Sequence, residues 1–313
     1  MGALLDIGTS GMLAQNKQIK AIGNNIANSQ TPAYKASSVQ FSDTFYNVGG
    51  TAGSGVLDQS GNGAATKGNI FNWQPGGTDQ TGKKTHMAIT EEKGMFPVLH
   101  QAETKFSRAG DFSFAKDKTG DIVLARPNGA QLMVDDGAGN LTKLTFSGIP
   151  SSLQISASGE IRVATPPEQD PDGDGTSHPT GPGILVGQPG SEDIDTNGDG
   201  TLDGFSSAQI RLQTFGNPDT LLHESGGLFQ TTTGTVKGGD GLAAGVDGDP
   251  ADTPVIPGEH GAGSLQQGYL EQSNVDLVRE FADMIATQRA YQANSRTIQT
   301  ADDLLKEALS LKR

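Results

Sequence analysis

The residues whose types and spacing could do chemistry are acidic and lie in one Gly-rich stretch. Asp195, Asn197, Asp199, Thr201 and Asp203 occupy alternate positions, with Gly200 where a tight turn is needed. Side-chain oxygens from the four Asp and Asn residues, and the Thr201 carbonyl, match the first part of a calcium-binding loop. The twelfth position holds Ser206 in place of a bidentate glutamate, and no helix pair flanks the segment. Asp170, Asp172 and Asp174, followed by Gly175, form a shorter echo. A solvated acidic turn is the competing reading. If calcium binds, it stiffens a surface loop, and no cofactor is otherwise required.

Other candidate motifs fall short of their chemistry. Gly77-Thr78-Asp79-Gln80-Thr81-Gly82-Lys83-Lys84 approaches a phosphate-binding loop, but Lys84 stands where Ser or Thr must hold magnesium. His86, His100, His178, His223 and His260 are scattered without metal-ligand spacing. Glu91-Glu92 and Asp135-Asp136 are adjacent in sequence, which suits turns better than paired catalytic carboxylates. Neither a Gly-x-Ser-x-Gly element nor an HExxH pair occurs. No catalytic residue can be named, and the chain reads as a non-enzyme.

The elements that must position anything else are two helices at the ends of the chain. Leu5, Met12, Ile19 and Ile26 recur every seven residues, with Ile22 three places after Ile19. Leu277, Met284, Tyr291, Ile298 and Leu305 do the same near the other end. An apolar residue at every seventh position keeps one stripe along an under-wound helix, the condition for coiling on another helix. The spacing predicts helices over 3–28 and from Ser273–Asn274 almost to the end, with Ser273 and Asp276 as a variant capping box. A second seam, Phe281, Gln288, Ser295, Asp302 and Leu309, is polar in the middle, which suits a helix among several neighbours. Gly8, Gly11 and Gly23 weaken the first helix by about 1 kcal/mol each relative to Ala, and small residues also admit a close neighbour. Thr31-Pro32 ends it.

Between the helices, short apolar runs alternate with turn signals such as Thr119-Gly120, Asn128-Gly129 and Ser158-Gly159. The pattern predicts an α+β chain: a discontinuous coiled-coil domain from 1–46 with 264–313, and a mainly antiparallel β domain over 87–232. Residues 47–86 read as an extended linker, a long loop or a weak hairpin, 165–205 as an acidic insertion, and 233–263 as a second linker.

Composition narrows the partners. The formal charge is −14, which disfavours nucleic acid and anionic membranes because both require a basic surface. No apolar run approaches the roughly 18 residues of a membrane span, so no membrane insertion is expected. The N-terminus lacks the basic and continuous apolar regions of a Sec-type signal peptide. Cysteine is absent, which removes disulfide and thiolate chemistry.

The two ends resemble the bacterial flagellar axial family of rod and hook subunits. At the front the resemblance rests on Gly11 to Gln15, Ile22 to Ser29, Thr31, Tyr34-Lys35 and Phe41 to Phe45. At the back it rests on Gly268 to Asp276, Met284-Ile285 and Gln288 to Ser295, and between them on Phe106 to Phe112. The resemblance implies terminal helices that pair and pack into a hollow helical tube that transmits torque, with the β domain outermost. It implies a homopolymer that meets neighbouring rod, hook and junction proteins, export by the flagellar type III apparatus, and a place in the hook–basal body, from periplasm to exterior. Leu5, Met12, Ile19, Ile22, Ile26, Leu277, Phe281, Met284, Tyr291, Ile298 and Leu305 are the expected subunit-packing residues. The motif from Ile22 to Asn28 and the ending Leu309 to Arg313 favour a hook protein. The single β domain suits the alternative, a distal rod subunit. A calcium-dependent extracellular binding module is the rival of another class.

Overall fold

The computed structural model describes residues 2–44, 46–49, 58–61, 63–135, 141–146, 152–164, 209–231, 254–259 and 261–310. They divide into two compact units, Met1–Gln30 with Lys35–Asn72 and Asn274–Arg313, and Thr31–Tyr34 with Trp73–Ser273. The architecture is α+β, as the periodicity predicts.

The first unit is built on two helices, α1 (Gly2–Ala27) and α2 (Leu277–Ser310). They run antiparallel, since Gly8 meets Ile298, Gly11 meets Asn294, and Asn25 bonds Glu280. A Cβ on Gly8 would lie 2.7 Å from Ile298 Cγ1, and one on Gly11 would lie 2.6 Å from Asn294 Nδ2. Two of the three glycines that weaken α1 are therefore the ones that let α2 approach, while a Cβ on Gly23 would meet nothing within 4 Å. α2 starts three residues later than a cap at Ser273 predicts. Its cap is Asp276, whose Oδ1 accepts from the N–H groups of Val278 and Arg279 at 3.0 and 3.3 Å.

An antiparallel pair of strands, Ser37–Asp43 and Ala64–Phe71, lies on α1. A bulge between Gln40 and Phe41 breaks its register. Gln18 Oε1 accepts from Val39 N–H at 3.2 Å, and Lys17 Nζ donates to Thr66 Oγ1 at 2.6 Å. Tyr46–Gly49 pairs with Asp58–Gly61 in a second hairpin. The described residues of 47–86 thus include strands as well as loop. Its strands gain their order from backbone pairing, which a Gly- and Asn-rich sequence does not advertise.

The second unit centres on an antiparallel sheet containing Ile122–Ala125, Gln131–Asp135, Gly94–His100, Glu103–Ser107 and Leu228–Gln230. In Gly94–His100, Phe96 and Val98 join one apolar cluster and Met95 joins another, so both faces of this strand are covered. Edge-to-face pairs Phe96–Phe112 and Phe114–Phe146, each 5.5 Å between ring centres, fill the larger cluster. Gly120, Gly129 and Gly159 turn the chain with positive φ at the predicted positions.

Two predicted boundaries move. Leu265–Gln267 pairs with Met87–Ile89, and Tyr269–Glu271 pairs with Thr78–Gln80, so 264–273 belongs to the β unit. Ala33 N–H donates to the Glu271 carbonyl at 2.8 Å, which places Thr31–Tyr34 there as well. The reason is common to both: these segments satisfy their backbone groups on strands and not on helix. The acidic insertion 165–205 lies outside the described residues. Of the second linker, Val255 exchanges backbone hydrogen bonds with Leu212 at 2.8 and 2.9 Å, so this part is packed on the β unit.

Candidate assembly surface

The packing residues predicted from the heptads do not form the main contact inside the chain. Of the α1 set, Ile22 is buried, while Leu5, Met12, Ile19 and Ile26 are half-buried. The buried stripe of α1 holds smaller groups: Gly8, Ala14, Ala21, Ile22 and Asn25. At about 100° per residue, the Leu5–Met12–Ile19–Ile26 seam lies roughly a quarter-turn from the centre of that stripe. The heptad thus borders the intrachain contact instead of filling it.

The α2 set is divided, with Ile298 against Gly8 of α1. Met284, Ile298 and Leu305 are half-buried, and Leu277, Phe281 and Tyr291 are exposed by 41%, 51% and 37%. Val278 and Ile285 are exposed beside Leu277 and Phe281. Four apolar side chains on the first three turns of one helix therefore face away from their own chain, a concentration that marks an interaction surface better than scattered apolar residues would.

Polar residues fix how these faces are presented, and periodicity gives no sign of their part. Asn25, buried in α1, donates from Nδ2 to the Ser37 carbonyl at 2.8 Å and to Glu280 Oε1 at 2.9 Å. Its Oδ1 accepts from Ser37 N–H at 2.9 Å. One amide thus joins α1, the first strand and α2. Burial pushes the Glu280 carboxyl above its ordinary value, against the hydrogen bond from Asn25, which holds it down. Asn274 makes a second tie: its Oδ1 accepts from Ala36 N–H at 2.8 Å, and its Nδ2 donates to the Asn72 carbonyl at 2.7 Å. Both residues stand in the quoted family motifs, which is the one signal in the sequence that pointed to them.

Asp195, Asn197, Asp199, Thr201 and Asp203, the calcium loop of the sequence reading, lie outside the described residues. Among the described residues no group of three or more His, Cys, Asp or Glu side chains is arranged to hold a metal ion. Thr78–Gln80 of the phosphate-loop segment is a strand paired to Tyr269–Glu271. No helix among the described residues is long and apolar enough to cross a membrane.

Known proteins are similar to this chain at both scales. The family described as flagella basal body rod protein matches residues 5–35, and that described as flagellar basal body rod FlgEFG protein C-terminal matches residues 266–311. The flagellar basal-body rod protein FlgG of Caulobacter vibrioides is 30% identical over 313 residues, covering 97% of each chain. That of Bacillus subtilis is 29% identical over 313 residues, covering 98% of this chain and 97% of the relative. The flagellar hook protein FlgE of Caulobacter vibrioides is 40% identical over 106 residues, which are 34% of this chain and 16% of that protein.

Proposed function

The chain belongs to the bacterial flagellar rod and hook protein family, a structural component of the hook–basal body, and on that premise we propose that it is a distal rod subunit. The observation that carries the choice is coverage. The rod proteins align with it from end to end, whereas the hook protein aligns with a third of it. The hook preference drawn from the terminal motifs gives way to this end-to-end coverage.

In this reading the subunit polymerises with its own copies into a tube and meets rod and hook neighbours at the ends of that tube. The half-buried seams of α1 and the exposed start of α2 supply the apolar area for packing. The flagellar export apparatus delivers the chain. Gold-labelled, tagged protein imaged in isolated hook–basal bodies tests the assignment. Label along the rod below the hook is expected. Label along the curved hook would return the assignment to the hook. A second test bears on the packing faces: Ile19→Glu with Ile26→Glu is expected to abolish incorporation, and normal incorporation would refute their role.

A further inference from the structure

The two heptad seams open on the same side of the helix pair. On α1, Ser10, Lys17, Gln18 and Asn25 hold the strand pair Ser37–Asp43 and Ala64–Phe71. At about 100° per residue, the Leu5–Met12–Ile19–Ile26 seam lies roughly 160° around α1 from those contacts, beyond the residues that meet α2. On α2, Asp276, Glu280 and Asp283 line a pocket with Ser37 and Ile70 of the strand pair. The seam through Leu277, Met284 and Tyr291 lies roughly 75° from that side, again beyond the contact with α1. Strand pair and seams therefore flank opposite sides of the helix pair. The seams line an apolar groove that the described residues of the unit leave half-covered.

α2 carries a further stripe outside this groove. Val278 and Ile285 are seven residues apart, 81% and 53% exposed, and point roughly 160° away from the contact with α1. Arg289 continues the stripe, exposed and without an ion pair among the described residues. Beyond it Gln292 and Arg296 make the stripe polar. Asp302 lies on the groove side near the end of α2, and its pair with Lys306, at 2.7 Å, is on the open helix surface, where such pairs are weak.

We propose that the start of α2 from one copy lies in the groove of the next, parallel to that copy's α2 and shifted by about 13 residues, or ~20 Å. Val278 then seats beside Tyr291 of the neighbour, Ile285 beside Ile298, and Arg289 against Asp302. This rests on the polymerising-subunit reading above. Because Gly8 meets Ile298 and Gly11 meets Asn294, Leu5 and Met12 of α1 form the other wall at this level. The occupant is a second copy because its stripe repeats the spacing of both seams, as the third helix of a coil must, and its cation meets the acidic residue on the groove side. The same shift carries polar Arg296 to the last turn of α2, past the apolar part of the groove. Groove and inserted stripe are roughly 110° apart around α2, so one copy can receive and donate at once. The contact is heterologous, and the series continues without closing on a dimer. The space it fills lies across the helix pair from the strand pair, and α1 of the inserted copy points away from it.

The lack of native cysteine permits a direct test on the full chain. A double variant, Arg289→Cys with Asp302→Cys, is assembled and treated with a short bismaleimide. Within one chain these positions are ~20 Å apart along a helix and cannot be bridged by it. The expected product is a ladder of covalent trimers and larger species, absent from either single variant. Independently, Arg289→Glu should lower the sedimenting fraction about fivefold, and adding Asp302→Arg should restore it. Assembly of the double-cysteine chain without a ladder, or a charge-swapped chain no better than Arg289→Glu alone, would overturn the groove pairing and leave the rod reading intact. Failure of the unsubstituted chain to polymerise would overturn both.

Discussion

Replacing Glu271 by Gln should destabilise the β unit by about 3–5 kcal/mol, because it breaks a buried ion pair while preserving its shape. Arg108 and Glu271 each have a side chain 1% exposed, and Arg108 Nε donates to Glu271 Oε2 at 2.8 Å. Arg108 also donates to the carbonyls of Gly94 at 2.7 Å, Ile89 at 3.4 Å, and Glu91. The other carboxylate oxygen accepts from Gly76 N–H at 3.0 Å. A glutamine offers one oxygen to these two donors, so either Gly76 or Arg108 must face an NH2 group. Losing a hydrogen bond to a charged group costs about 1.5–3 kcal/mol, and stranding a buried donor about 1–3 more.

Urea unfolding followed by the fluorescence of Trp73 reads this change locally. Trp73 is the single tryptophan; it lies in the β unit, with its ring 5.3 Å from that of Phe229 and its Nε1 donating to Asp219 at 2.9 Å. With a slope of about 2–3 kcal/mol per molar urea, the midpoint should fall by more than about 1 M. Arg108→Met strands the carboxylate and should cost a similar amount. The double variant removes both charges and should cost less than the two singles together by at least about 1 kcal/mol. A midpoint shift below about 0.3 M for Glu271→Gln, or strict additivity in the cycle, would refute the account of the pair as one unit.

Two further outcomes follow from local geometry. Gln101 and Ala102 form the two-residue turn between Gly94–His100 and Glu103–Ser107 with φ of 53° and 66°, a turn that favours Asn-Gly. Gln101→Asn with Ala102→Gly should therefore raise stability by about 1 kcal/mol in thermal melts, and a lowered melting temperature would refute the strain. The second outcome concerns Asp117, where the Lys143 ammonium 2.7 Å away and the Lys118 N–H hold the carboxyl down at about 2. Its contribution is present above its ordinary pKa of 3.8 and is lost as pH falls through 2. Asp117→Asn should cost on the order of 1 kcal/mol near pH 5, after allowance for solvent screening, and nothing below about pH 2. A difference that persists in acid would refute the linkage.

The parts legible in the sequence were those whose signal is local. Helix periodicity located α1 and α2 within a few residues, and Gly-containing turns marked the hairpins of the β unit. Illegible parts depend on partners far away in the chain. Ala64–Phe71 has no apolar alternation and is a strand because Ser37–Asp43 lies beside it. Arg108 and Glu271 are 163 residues apart, and nothing in either neighbourhood announces the other. Tyr269–Glu271 read as part of the helical domain because it adjoins α2, whereas its backbone pairs with Thr78–Gln80. The heptads locate apolar stripes on both helices, and periodicity says that a face is apolar and not what covers it.

That difference has a physical consequence for the helical unit. Gly8 and Gly11 give up helix propensity of about 1 kcal/mol each and contribute no side-chain area to the contact they make possible. The larger groups, Leu5, Met12, Ile19 and Ile26, stay only half-covered by their own chain. The apolar transfer that would offset the glycines is therefore incomplete in a single copy, at about 25 cal/mol for each Å2 left in water. A neighbour laid against the seam and the exposed turns of α2 would complete it. Order in the helices and growth of the polymer then draw on the same surface, so substitutions along the seam should weaken assembly before they disturb the β unit.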